Sequence, residues 1–138
     1  VDQNCAYCME GELVAKFGIK ICELETSKVY LFKEQSHPGR CIVAHKKHVG
    51  DMNELTAEER AAYFEDVARV ARAIMKAFNP DKVNYGAYGD TGHHLHFHLC
   101  PKYKDEYEWG GVFLMNPDKK YLTDEEYADM IEKIKANL

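Results

Sequence analysis

The chain has 138 residues and a net charge of −5, with 23 acidic and 18 basic residues interspersed. This is the length of one ordinary domain, and the mixed charge excludes a protein that binds nucleic acid through a basic face. No run of about 18 apolar residues is present, which excludes a transmembrane helix, and the first residues lack the pattern of a signal peptide. We therefore expect a cytoplasmic protein with a single domain over residues 1–138 and no membrane partner.

The first third of the chain contains strand-forming segments. Residues 11–32 are predicted to form two or three short strands, because residues 29–32 are an apolar run of strong strand formers. Residues 36–39, Ser-His-Pro-Gly, predict a turn. Residues 41–44 predict a buried strand that leads into a polar His-Lys-Lys-His segment.

Two capping boxes predict where two helices begin. Thr56 with Glu59, and Thr123 with Glu126, have the spacing at which each side chain caps the other's backbone amide. The first helix is long and ends at Asn79, before a proline. Its apolar stripe contains Tyr63, Phe64, Val67, Ala71, Ile74, Met75 and Phe78.

Two further strands lie between these helices. Residues 83–88 and 94–100 are predicted to form strands around a turn at residues 89–92, and Pro101 is expected to end their pairing. Together the elements predict an α+β fold, with a mainly antiparallel sheet of about five strands packed against one long central helix and a C-terminal helix.

Three histidines occupy every second position of the last predicted strand. Side chains alternate between the faces of a strand, so His94, His96 and His98 share one face, whereas His93 is out of phase and expected at the surface. A His-x-His pair can bind zinc, but alternate Cα atoms lie about 6–7 Å apart, so one ion does not easily hold all three residues. Alternatively, neutral imidazole attacks phosphorus and forms a covalent intermediate.

The segment HLHFHLC, residues 94–100, resembles the signature of the histidine triad (HIT) superfamily, in which three histidines alternate with apolar residues. The resemblance spans nearly the whole chain: HPGRCIVAHKKHV, the helix from Thr56, VNYGAYGD and CPKY occur in the order expected for the family. It implies a HIT-like fold and an enzyme that hydrolyses or transfers nucleotides at phosphoanhydride or P–N bonds. Dinucleoside polyphosphates and nucleoside phosphoramidates are the implied substrate types.

The resemblance also implies roles for individual residues. His96, the middle histidine, would attack the α-phosphorus and carry the nucleotide as a covalent nucleotidyl-histidine. His98 would contact the phosphate and help protonate or steer the leaving group, with His94 completing the catalytic triad.

Four further positions match places where the family contacts its nucleotide. Thr91 would contact the phosphate, Gly89 lies in a turn whose amides can form an anion site, and Asn84 matches a polar position near the phosphates. The segment that usually carries the ribose-binding residue is shorter here, and Glu34 is expected to fill that role.

Five cysteines without a signal peptide argue against a disulfide framework, but Cys5 and Cys8 form a C-x-x-C pair suited to a soft metal. A redox pair or free thiols are the alternatives. The chain resembles bacterial HIT proteins and galactose-1-phosphate uridylyltransferases in this segment. That resemblance implies a structural zinc on Cys5, Cys8, His48 and His94, with residues 1–10 as a zinc-binding segment. His45 is an alternative to His48.

Other functions stay open at this stage. The histidine strand could itself be the metal site of a metal-dependent phosphohydrolase, or the protein could be a nucleotide-binding module without turnover. The expected partner is a small nucleotide and not a nucleic acid. The resemblance implies a homodimer formed through the exposed edge of the helix from Thr56.

Overall fold

The computed structural model describes residues 2–138; residue 1, the first of the predicted zinc-binding segment, lies outside them. The elements in chain order are α1 (Ala6–Met9), α2 (Gly11–Ala15), β1 (Gly18–Glu23), β2 (Ser27–Phe32), β3 (Cys41–His45), a 3₁₀ turn (Met52–Glu54), α3 (Ala57–Phe78), β4 (Lys82–Gly86), β5 (His96–Lys102) and α4 (Asp124–Ala136). Among the helices of the described part, none combines the length and apolar character needed to cross a membrane.

The five strands form one antiparallel sheet in the order β1-β2-β3-β5-β4. β5 therefore lies inside the sheet, between β3 and β4. Its register places His96 opposite Ala44 and His98 opposite Ile42. The predicted α+β fold, with about five strands, a long central helix and a C-terminal helix, is confirmed.

The two faces of the sheet bury different cores. On one face, α3 and α4 pack on a large cluster that contains Val43 and Leu99. On the other face, α1 and α2 contribute to a smaller cluster in which Tyr7 packs with Tyr30 and Ile42. The alternation within β5 sends its histidines to this second face, beneath the N-terminal segment.

The capping boxes form as predicted and set the positions at which the two long helices begin. The hydroxyls of Thr56 and Thr123 each accept the amide of the third helical residue, and α3 ends before Asn79, which adopts a left-handed conformation. The apolar stripe of α3 is only partly inward, because Phe64 and Met75 remain 37% and 43% exposed.

Four predicted boundaries were wrong. β5 begins at His96 instead of residue 94. Residues 11–15 form a helix, consistent with the helix formers Glu, Leu and Ala in this segment. β4 ends at Gly86 instead of residue 88. A side chain at position 86 would collide with the ring of Phe113. Pro101 lies inside β5 and pairs with Val83. The pairing of β5 with β3 has already ended at Leu99, so the missing amide removes no bond from that ladder.

Candidate active site and metal site

A cavity of about 810 Å³ opens on the histidine face of the sheet. This is the size of an ordinary small-molecule site. The sheet forms its floor through His96 and His98, and the loop 88–93 and the segment 112–116 form its walls. Among the described residues, this lining contains two aspartates, Asp2 and Asp90, and no lysine or arginine.

His96 is held by a single hydrogen bond to the backbone. Its Nδ1 lies 2.6 Å from the carbonyl oxygen of His94. A carbonyl can only accept, so Nδ1 carries the proton and Nε2 keeps its lone pair. Burial lowers the pKa of His96, and the bond to the carbonyl opposes this only in part. The imidazole is therefore neutral near pH 7 and presents an unprotonated nitrogen, as a nucleophile requires.

His98 is held by a buried arginine. Nη2 of Arg40 lies 3.0 Å from Nδ1 of His98, and the same guanidinium donates to the carbonyls of Leu114 and Met115. Burial, and then the charge of Arg40, lower the pKa of His98 to about 2. His98 is thus a neutral side chain beside His96, with its ring centroid 5.4 Å away.

Next to this pair, four side chains form a cluster that can hold a metal ion: Cys5, Cys8, His48 and His94. Nδ1 of His94 lies 3.3 Å from Sγ of Cys5 and 3.6 Å from Sγ of Cys8. Nδ1 of His48 lies 3.2 Å from Sγ of Cys8 and 3.1 Å from Nδ1 of His94. The two cysteines thus come from the α1 turn, His48 from the segment after β3, and His94 from the entry to β5, which together are the four residues expected as ligands.

The donor set and its spacing fit a four-coordinate metal. A tetrahedral ion with bonds of about 2.0–2.3 Å separates its ligand atoms by roughly 3.3–3.8 Å, close to the distances observed. Nε2 of His94 donates to the carbonyl of His45 at 2.6 Å, which leaves Nδ1 without a proton. Burial lowers the pKa of His94 to about 4, so this ligand is neutral near pH 7.

His45 does not join the cluster. Its Nδ1 accepts the backbone amide of Lys47, and the ring is buried against Tyr63. His93, expected at the surface, is exposed at the rim of the cavity, where its ring covers Gly50.

Two of the three expected phosphate-binding residues line the cavity, and the third does not. Gly89 and Thr91 line the cavity, and Gly89 has a φ of +97°, which a glycine adopts readily. Asn84 pairs with Cys100 and so lies on the same face as His98, but it is not among the residues that line the cavity.

Glu34, the expected ribose contact, lies away from the cavity. This side chain is 4% exposed and lies outside the cavity lining. Its carboxylate accepts the amide and hydroxyl of Ser36 and the amides of Lys119 and Lys120, at 2.6–2.9 Å. Three of these four bonds are to Oε2, and two of them come from the amides of Lys119 and Lys120, so Glu34 anchors the segment around residues 119–120.

Three contributors to the site are absent from the sequence-based prediction. Tyr7, between the two cysteines, packs against the rings of His94 and His96 at 5.4 and 4.9 Å. The apolar segment 112–116 forms one wall, and Arg40 lies under His98. A single arginine or tyrosine gives no periodic signal, although the placement of Tyr7 within C-x-x-C could have indicated it.

Comparisons with known proteins identify the family of this chain. The family model of the HIT domain matches residues 18–105. The chain belongs to the HIT family. A HIT relative from Schizosaccharomyces pombe, named adenosine 5'-monophosphoramidase, is 28% identical over 116 residues, which cover 78% of this chain and 80% of the relative.

Two solved structures of HIT proteins share the fold. A histidine triad protein from Sinorhizobium meliloti superposes with a TM-score of 0.85 at 24% identity, covering 93% of this chain and 95% of that one. A histidine triad family protein from Mycobacterium smegmatis, described as zinc-bound, superposes with a TM-score of 0.68 at 21% identity, covering 96% and 94%.

Proposed function

We propose that this HIT protein is a nucleotide hydrolase or nucleotidyltransferase that attacks the α-phosphorus through His96. The observation that carries the proposal is the hydrogen bond from Nδ1 of His96 to the carbonyl of His94, which leaves Nε2 unprotonated in a cavity of suitable size. The phosphoramidase named among the relatives supports the same class of reaction.

The reaction takes place in two displacements. The lone pair of His96 Nε2 forms a bond to the α-phosphorus, and the bond from phosphorus to the leaving group breaks with its electrons on the leaving atom. The carbonyl of His94 stabilises the imidazolium that forms, through the proton on Nδ1. Water, or another acceptor, then bonds to phosphorus while the P–N bond to His96 breaks, and the acceptor's proton passes to solvent.

The surrounding residues would hold the phosphate. The turn amides near Gly89, the Thr91 hydroxyl and His98 border the same cavity as His96. Asn84, on the same face but behind the lining, would support this site indirectly. Because Glu34 lies outside the cavity lining, we propose that other residues of the cavity contact the ribose.

The charges around the cavity favour a substrate with one phosphate. A dinucleoside polyphosphate carries several negative charges and requires cationic partners. The lining described above contains two aspartates and no lysine or arginine, and one cation, the buried guanidinium of Arg40, lies behind His98. A nucleoside phosphoramidate, with a single phosphate and an amine leaving group, meets this environment at lower electrostatic cost.

We propose a structural zinc on Cys5, Cys8, His48 and His94. A zinc ion bound there would have four protein ligands and would cross-link the N-terminal segment to the entry of β5. The zinc-bound relative with the same fold supports this assignment. Because His96 and His98 lie outside the four-ligand cluster, the geometry favours nucleophilic catalysis over a metal-dependent phosphohydrolase.

The remaining proposals concern the whole protein. We propose that residues 1–138 form one domain and that the chain dimerises through the side of α3 that exposes Phe64 and Met75. Within the described residues none of the five cysteines forms a disulfide, which is typical of a protein from a reducing compartment such as the cytoplasm.

The decisive experiment is intact-protein mass spectrometry after brief incubation with adenosine 5′-phosphoramidate or a diadenosine polyphosphate, quenched in alkali to preserve phosphohistidine. We expect a mass gain of one AMP in the wild type and in Lys133→Ala, a control at an exposed residue of α4 outside the cavity lining, but not in His96→Ala. Turnover by a folded, metal-loaded His96→Ala protein would refute the proposal. Nucleotide binding without an adduct or turnover would identify a binding module instead.

A further inference from the structure

Arg40, the residue before β3, is a fully buried cation without an acidic partner. Its side chain is 0% exposed, and within the described residues no carboxylate forms an ion pair with it. The guanidinium lies between the rings of Phe32 and Phe113, at 4.1 and 4.9 Å from their centroids. A buried charge that lacks a counterion is costly, so its location requires an explanation.

The hydrogen bonds of Arg40 connect a catalytic histidine to a wall of the cavity. Nη1 donates to the carbonyl of Leu114 at 3.1 Å, and Nη2 donates to that of Met115 at 2.8 Å and lies 3.0 Å from Nδ1 of His98. Its Nε is buried without a partner. The guanidinium is therefore placed by its two terminal nitrogens, at the junction of β5 with the segment 112–116.

The chemistry of this contact decides where His98 carries its proton. A guanidinium has donors and no acceptor, so Nδ1 of His98 must be the acceptor. Neutral His98 then carries its single proton on Nε2, the nitrogen that makes no hydrogen bond within the described protein and belongs to a ring that lines the cavity. The positive charge at Nδ1 also opposes a second proton on the ring.

We propose that Arg40 is a positioning residue that fixes His98 as a neutral Nε2–H donor to the phosphoryl oxygens. This inference rests on the proposed nucleotidyl transfer and refines it: His98 binds the phosphate and does not supply a proton to the leaving group. The leaving nitrogen or oxygen takes that proton from water, or the nitrogen of an amine leaving group already carries it when the P–N bond breaks. Because Arg40 also holds two carbonyls of the wall, the donor and the wall keep a fixed relative position.

The direct test is nitrogen NMR of protein labelled with ¹⁵N-histidine at pH 7, with the His98 signals identified by their loss in His98→Gln. In the wild type we expect a protonated Nε2 and an unprotonated Nδ1. A protonated Nδ1, or an imidazolium, would overturn the proposal without any variant of Arg40. Because this readout involves no turnover, it is independent of whether His96 forms an adduct.

Variants then separate positioning from general stability. Arg40→Met removes the donors, and we expect mixed tautomers of His98 and adduct formation slower by about 10²-fold, the effect of losing one oriented donor. Arg40→Lys retains a charge and a donor and should restore part of both. Lys102→Met removes another buried cation, which donates to the carbonyls of Glu108 and Gly111 and makes no hydrogen bond to His98.

The control should leave the tautomer of His98 unchanged. A wild-type tautomer in folded Arg40→Met, or the same loss in Lys102→Met, would refute positioning by Arg40. If Arg40→Met does not fold, the wild-type spectrum and Arg40→Lys still decide. If the wild type shows the expected tautomer but no AMP adduct forms on His96, the proposed function fails while the assignment of the Arg40–His98 contact stands.

Discussion

Glu34 provides a quantitative test of the structural role assigned above. Its carboxylate accepts four hydrogen bonds, two of them from backbone amides 85 and 86 residues away. Glu34→Gln removes the charge and turns an NH₂ group toward at least one of these donors. Hydrogen bonds to buried charges contribute about 1.5–3 kcal/mol, so we expect a loss of about 2–3 kcal/mol. For 138 residues this lowers Tm by about 7–10 °C.

The pH dependence of this loss follows from the pKa of Glu34. Burial opposes its ionisation, but the hydrogen bonds from Ser36 and from the two lysine amides outweigh burial and lower the pKa. A carboxyl group whose pKa is lower in the folded state contributes stability above its unfolded pKa and loses it as the pH falls through the folded pKa. The difference between wild type and Glu34→Gln should therefore be complete at pH 7 and shrink below about pH 4.

Thermal unfolding at pH 7 and in acid would measure this difference, with the exposed Glu132→Gln as a matched control. Calorimetric titration with AMP would measure nucleotide binding in the same variants. We expect Kd to stay within twofold of the wild type. A Glu34→Gln protein with an unchanged Tm and a tenfold weaker affinity for AMP would show that Glu34 binds the ligand after all, and would refute our reasoning.

Three further predictions concern the metal site and the packing of α3. Cys8→Ser should lower the zinc content well below one ion per chain by elemental mass spectrometry, whereas Cys22→Ser, outside the cluster, should not. Zinc affinity of the wild type, measured by competition with a chelator, should fall as the pH is lowered from 7 to 5, because protons compete with zinc for the thiolates of the two cysteines. Asp66 accepts two hydrogen bonds from Thr26, in the turn between β1 and β2, and one from Ser27, the first residue of β2. Asp66→Ala should therefore cost about 3 kcal/mol in chemical denaturation, against less than about 0.5 kcal/mol for the exposed Asp129→Ala.

The parts of this protein that were predictable from sequence depend on neighbours in the chain. The capping box at Thr56 predicts where α3 begins, because Thr56 and Glu59 lie within one turn of the helix. The alternation of histidines with apolar residues predicts which side chains share a face, because side chains in a strand alternate with a period of two residues. The proximity of Cys5, Cys8, His48 and His94 was expected because a family resemblance indicated the two histidines, and the structure brings these four side chains together.

The unpredicted parts depend on contacts between distant segments. Arg40 reaches His98 across 58 positions, and Glu34 binds amides more than 80 positions away. Neither contact leaves a periodic pattern, so Glu34 appeared to be an available polar group near the Pro-Gly turn. Residues 11–15 were mispredicted for a local reason. Their composition suits a helix, but the neighbouring apolar pattern favours a strand.

His94 connects the four-residue cluster to His96, the proposed nucleophile. Its Nδ1 belongs to the cluster, its Nε2 donates to the carbonyl of His45, and its own carbonyl orients His96. Yet His94 precedes β5, which begins at His96, so no ladder of strand pairing fixes its backbone. The neighbouring Leu95 is tied to His45 and Val49 by single backbone bonds. A metal ion on the cluster would add a restraint at the point where the ladder is missing. This explains physically why a structural metal site should include the first histidine of the motif and leave the second one free.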